Sequence, residues 1–79
     1  MKIKFKSDKK EELLMMIYMG HKQISSQKML ADFIGVTEET LSRVLTARQN
    51  VSMYIAKKLA HLGGDKEISY YFNIIIESN

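Results

Sequence analysis

Few residues in this sequence have the types and spacing that covalent chemistry requires. There is no cysteine, which excludes disulfides, thiolate nucleophiles and thiolate metal sites. His21 and His61 are far apart, and neither has a cluster of ligand-type residues beside it. Both read as solvent-facing, and no metal is expected. There is no Ser/His/Asp order, no glycine-rich phosphate loop and no pair of carboxylates placed for acid–base work. The chain is therefore not expected to be an enzyme, and nothing in it asks for a cofactor. Met15, Met16 and Met19 read as core or interface filler, because methionine adapts to irregular surfaces. What remains is non-covalent chemistry, concentrated in the run Thr37-Glu38-Glu39-Thr40 followed by Ser42 and Arg43. Glu38 and Glu39 at the start of a helix would stabilise its dipole. Glu39 and Arg43, at i and i+4, can form a surface ion pair.

These residues need a scaffold, and 79 residues supply one domain, 1–79. A domain this small is marginally stable alone, and without cysteines or a metal the remaining supports are helix packing and a partner subunit. The 46% hydrophobic content suits a globular core. No apolar run approaches a membrane span, and no apolar core follows the N-terminal lysines, so the sequence predicts a soluble cytoplasmic protein with no membrane partner. The net charge of +3 is compatible with nucleic acid, and Lys2, Lys4, Lys6, Lys9 and Lys10 crowd the first ten residues.

The elements predicted are mostly helical: an all-α, compact five-helix bundle with a short N-terminal strand or basic arm over 1–8. Ile3 and Phe5 alternate with lysines, which is strand periodicity. Asp8 and Glu11 match a capping box, so a first helix is expected from about Lys9, with Gly20 closing it in the left-handed conformation. Ser26 caps a second helix, 27–34, with Leu30, Ala31 and Ile34 inward, and Thr37 caps a third, 38–47, with Leu41, Val44 and Leu45 inward. Ser52 caps a fourth that buries Ile55, Ala56, Leu59 and Leu62, and Gly63 and Gly64 end it. A fifth helix is expected over 66–77, where Ile68, Tyr71, Phe72 and Ile75 fit the 3.6-residue period. The run Tyr70–Ile76 also has high strand propensity, which leaves a C-terminal strand as the alternative.

Residues 26–45, SQKMLADFIGVTEETLSRVL, form a helix, a tight turn and a second helix. Ala31 is small enough for the two helices to approach closely. Gly35 can take positive φ, so the chain can turn sharply. Val36 fills the gap between the helices, and Leu41 and Val44 lock the second helix onto the core. The outward face of that helix is then free to enter a major groove.

The pattern Ser26-Gln27…Leu30-Ala31…Gly35-Val36-Thr37…Leu41-Ser42-Arg43…Leu45 resembles the helix-turn-helix, spanning 27–47, of phage Cro and repressor-type transcriptional regulators. The likeness extends over about residues 10–64. The hexapeptide Glu38–Arg43 also resembles the recognition helix of the cyclic-AMP receptor protein family, although no cyclic-nucleotide domain fits this length. The resemblance implies a regulator of phage or mobile-element type that binds double-stranded operator DNA, and the small size of the chain with the apolar excess of Tyr70–Ile76 leads us to expect a homodimer. It implies a DNA-binding set of Gln27, Lys28, Thr37, Glu38, Glu39, Thr40, Ser42, Arg43, Arg48 and Asn50. Within it, Gln27 would clamp phosphate, Arg43 would reach guanine O6 and N7, and Glu39 would accept from cytosine N4. Thr40 would touch a thymine methyl or a phosphate. Arg48 and Asn50 would hold backbone phosphates. The apolar excess near the C-terminus places the expected dimer interface at Tyr70, Tyr71, Ile74 and Ile75.

Glu38 and Glu39 depart from the pattern, because they put negative charge where phosphates crowd. Either Glu39 reads a cytosine-containing site, or the fold binds a protein, as an antirepressor gripping a repressor or as the antitoxin of a toxin.

Overall fold

The computed structural model describes residues 1–76. Strand β1 (Lys2–Phe5) leads through a 3-10 turn at Ser7–Lys9 into α1 (Lys10–Gly20). Helices α2 (Gln27–Ile34), α3 (Glu38–Leu45) and α4 (Met53–Leu62) follow, then the single turn α5 (Ile68–Tyr71) and strand β2 (Phe72–Ile75). Among the described residues no helix is long and apolar enough to cross a membrane.

The five expected helices are present, but the fifth is cut short. Instead of a helix over 66–77, the chain leaves α5 at Phe72 and runs back along β1 as β2. Residue 77 lies outside the described residues. The pairing is antiparallel, with Lys2 opposite Ile75, Ile3 opposite Ile74, Lys4 opposite Asn73 and Phe5 opposite Phe72. The Lys6 N–H continues the ladder to the Tyr71 carbonyl at 2.7 Å. Local propensity leaves helix and strand close for this segment, and the waiting edge of β1 decides for the strand. The β-branched Ile74 and Ile75 are also less restricted there than against a helical turn.

The core is built from both the helices and this sheet. Ile3, Phe5 and Phe72 point inward with Leu13, Ile17, Leu30, Ala31, Ile34, Leu41, Leu45 and Leu59. Phe5 meets the edge of Phe72 with ring centroids 5.4 Å apart and stacks on Tyr71 at 6.4 Å. The Tyr71 hydroxyl donates to the Gly63 carbonyl at 2.6 Å, which satisfies the polar end of a fully buried ring. Gly63 is required there for space: a Cβ would lie 2.4 Å from Leu13 Cδ1 and 2.9 Å from Tyr71 Cε2.

Two helix boundaries differ from the expected ones. Asp8 and Glu11 do not form a capping box: Lys9 occupies the N-cap position before α1, and no side chain caps the helix. The 3-10 turn takes over that role, with the Lys9 N–H bonded to the Lys6 carbonyl at 2.8 Å. Gly20 is the last residue of α1 and is not left-handed; the chain leaves through His21 in an extended conformation.

The helices of residues 27–45 both end in the same motif. The Val36 N–H bonds the Ala31 carbonyl at 3.0 Å, and the Arg48 N–H bonds the Arg43 carbonyl at 2.9 Å. Each bond closes a Schellman turn over a left-handed residue, Gly35 at φ 83° and Ala47 at φ 60°. This is why α3 stops at Leu45 rather than at 47. Nothing lies within 4 Å of a Cβ at Gly35, so Gly35→Ala should cost only the backbone penalty, about 1 kcal/mol. Ala47→Gly should act in the opposite sense and stabilise by roughly 0.5–1 kcal/mol. Thermal melts of the two variants, shifted to opposite sides of the parent, check this assignment of the turns.

Candidate nucleic-acid interface

Helix α2 starts at Gln27 because the Ser26 hydroxyl accepts the Met29 N–H at 3.2 Å. Gln27 is half-buried and Lys28 is exposed at that start. Gly35 then reverses the chain, and half-buried Val36 packs against the core between the two helices. Thr37 caps α3, accepting the Thr40 N–H at 3.1 Å and donating to the Thr40 hydroxyl at 2.9 Å. That bond leaves the Thr40 proton available to an outside acceptor.

Burial of Leu41, Val44 and Leu45 fixes which side of α3 faces out. Glu38, Glu39, Ser42, Arg43 and Thr46 lie on the exposed side. Glu39, Arg43 and Thr46 fall at i, i+4 and i+7, and so form one stripe along it. The Arg43 guanidinium is bonded to the Glu39 carboxylate, with the two side chains 50% and 75% exposed. An exposed i,i+4 pair contributes only about 0.3–0.5 kcal/mol, so a base edge or phosphate can displace it. Glu38 stands in the first turn, where the helix dipole favours a carboxylate.

Beyond α3 the chain turns at Ala47 and carries Arg48 and Asn50 on the surface before Ser52 caps α4 through the Ile55 N–H at 3.2 Å. The Val51 N–H bonds the Ile3 carbonyl at 2.9 Å. This loop is therefore held by β1 as well as by α3. Thr46 was not among the expected contact residues, although the expected helix ran through it. Its hydroxyl donates to the Ser42 carbonyl at 2.9 Å and to the Arg43 carbonyl at 3.3 Å, so it also helps to close α3. A count of seven from Glu39 would have found it.

A family model described as Helix-turn-helix (HTH_3) matches residues 22–71. The chain belongs to the Cro/repressor-type helix-turn-helix family. The matched span contains α2, the Gly35 turn, α3, the Arg48 loop, α4 and α5. This helix-turn-helix domain is a DNA-binding regulatory domain and not one of an enzyme family. No curated protein and no solved structure matches the chain significantly. Among the described residues of the helix-turn-helix protein, no cluster of three or more His, Asp or Glu could hold a metal ion.

The four residues expected at a dimer interface separate into two groups. Tyr71 is fully buried and belongs to the core, so it has no surface to offer a partner. Tyr70 is engaged within its own chain: its hydroxyl bonds the Glu12 carboxylate, and its ring lies 4.3 Å from Lys9 Nζ and 4.9 Å from Lys66 Nζ. The Tyr70 hydrogen bond, aided by Lys9, holds the Glu12 carboxyl below its usual value. Ile74 and Ile75 are on the surface, 40% and 47% exposed, and Ile76 beyond them is 80% exposed.

Proposed function

We propose that this protein is a sequence-specific transcriptional regulator of phage or mobile-element type, working in the cytoplasm on double-stranded operator DNA. Helix α3 enters the major groove with the Glu39–Arg43 stripe toward the bases. The single observation that carries this reading is that stripe: it is outward-facing, rigidly backed by Leu41 and Val44, and made of hydrogen-bonding groups. Arg43 would give two donors to guanine O6 and N7, and Glu39 would accept from cytosine N4. Gln27 and Lys28 at the start of α2 would hold phosphate on one side of the groove, and Arg48 and Asn50 on the other. Thr37, Thr40 and Ser42 complete the contact set.

The protein would act as a homodimer joined through β2. In the antiparallel ladder the Lys6–Tyr71 bond makes Lys4–Asn73 and Lys2–Ile75 the hydrogen-bonded pairs. The backbone groups of Ile74 therefore point away from β1, on a two-stranded sheet whose edge is β2. An exposed edge carrying isoleucines is a template for another strand. A second copy pairing there about a two-fold axis would extend the sheet, and the half-sites read by the two α3 helices would then lie about one turn of DNA apart, as two-fold helix-turn-helix dimers require.

Selection of bound sequences from random DNA, with the solution mass measured alongside, tests the reading. A two-fold symmetric motif and a dimer mass are expected. The absence of any enriched sequence at low salt would sink it. Ile75→Asp leaves the core untouched, because Ile75 is paired with Lys2 on the outer face, and is expected to give a folded monomer. An unchanged dimer mass for that variant would move the interface elsewhere.

A second reading, a protein-binding module such as an antirepressor or an antitoxin, draws on the acidic start of α3, where Glu38 and Glu39 outnumber the helix's one basic residue, Arg43. Stable co-purification with a repressor or toxin, without operator binding, would favour it.

A further inference from the structure

We propose that β1 forms a second, sequence-independent phosphate contact, with Lys4 as its cation, beside the Arg48 loop and outside the helix-turn-helix unit. The proposal rests on the DNA-binding reading above. It starts from a mismatch of charge. Helix α3 carries two carboxylates and one guanidinium, a formal charge of −1, and its guanidinium is already bonded to Glu39. Attraction to the phosphates, which supplies most of the affinity of a DNA-binding domain, must then come from the flanks of α3.

The fold supplies such a flank. Strand β1 has two lysines and no acid, and alternation puts Lys2 and Lys4 on the face opposite the buried Ile3 and Phe5. Lys4 is exposed, and its cross-strand neighbour Asn73 is uncharged. The bond from the Val51 N–H to the Ile3 carbonyl, 2.9 Å, fastens β1 along the loop that follows α3. Arg48 is three residues from Val51, at most about 11 Å of extended chain. The same arginine is tied by its N–H to the Arg43 carbonyl at 2.9 Å. A short bonded path thus joins the base-facing residue, the loop cation and the lysine strand. The basic N-terminus is not a loose arm that could thread a minor groove. It is a strand fixed on both sides, by β2 and by the loop, which suits a contact with the backbone rather than with bases.

Such a contact has a defined thermodynamic signature. Each phosphate neutralised by the protein contributes about 0.9 to the slope of log K against log salt concentration. Lys4→Gln should reduce that slope by about 0.9, equally for the selected operator and for unrelated DNA, and Lys4→Arg should restore it. Binding of full-length protein to both DNAs is titrated by fluorescence anisotropy at several salt concentrations. Lys66→Gln removes the same charge from the turn after α4 and should leave the slope unchanged. The melting temperature of Lys4→Gln should match the parent, since Lys4 is exposed. An unaltered slope for Lys4→Gln overturns the proposal while leaving the DNA reading intact. Equal losses from Lys4→Gln and Lys66→Gln also overturn it, by assigning the effect to net charge. A parent protein that binds neither DNA overturns the DNA reading itself.

Discussion

Phe5→Ala should destabilise the protein by roughly 3–5 kcal/mol, the range for removing a buried aromatic ring. Phe5 is 1% exposed and packs against both Tyr71 and Phe72, so the cavity would open at the junction of the sheet with α5. The surrounding rings cannot simply collapse into it, because the Tyr71 hydroxyl is held by the Gly63 carbonyl. At the usual 0.05–0.15 kcal/mol per residue, a chain of 79 residues has a total stability of about 4–12 kcal/mol. The variant should therefore be largely unfolded at 37 °C or have its urea midpoint sharply reduced. The loss would reach the interface as well, since β1 holds the loop after α3 through Ile3 and Val51. Urea denaturation followed by circular dichroism makes the measurement. A loss below about 1 kcal/mol would mean that the β1–β2 sheet does not share the helical core.

Arg43→Ala should weaken binding to the selected DNA by about 1–3 kcal/mol, or roughly 5- to 150-fold, and relax the preference at one base pair. Arg43 is half exposed, so folding should be little affected: the lost pair with Glu39 is worth only a few tenths of a kcal/mol. Glu39→Ala separates the two roles on the stripe. It removes a negative charge from the phosphates' vicinity, so binding to unrelated DNA should strengthen while discrimination at the cytosine falls. Anisotropy titrations against selected and scrambled DNA at one fixed salt concentration distinguish these effects. If both variants leave affinity and preference unchanged, the reading face is not the Glu39–Arg43 stripe.

Much of the helix-turn-helix was legible because its determinants are local. Ser26, Thr37 and Ser52 each cap the helix expected of them, and Gly35 is left-handed where the chain must reverse. The inward positions Leu30, Ala31, Ile34, Leu41, Val44 and Leu45 follow from the 3.6-residue period alone. Exposure of Glu38, Glu39, Ser42 and Arg43 is then the complement of that burial. The left-handed residue at the end of α3 was hidden because it is an alanine, a type that gives no signal for positive φ.

The sequence by itself determined, through capping chemistry and periodicity, that two short helices meet at a tight turn and that one presents Glu39 and Arg43 to the outside. Only the tertiary structure decided that residues 2–5 and 72–75 pair as a sheet. Residues 72–75 have side chains compatible with helix or strand, and the choice rests on β1, seventy residues away in the chain, offering an unpaired edge. Backbone hydrogen bonds to a distant partner leave no periodic trace in either segment. The same long-range pairing takes Tyr71 off the surface, leaves Ile74 and Ile75 on it, and brings Lys4 alongside the loop that carries Arg48.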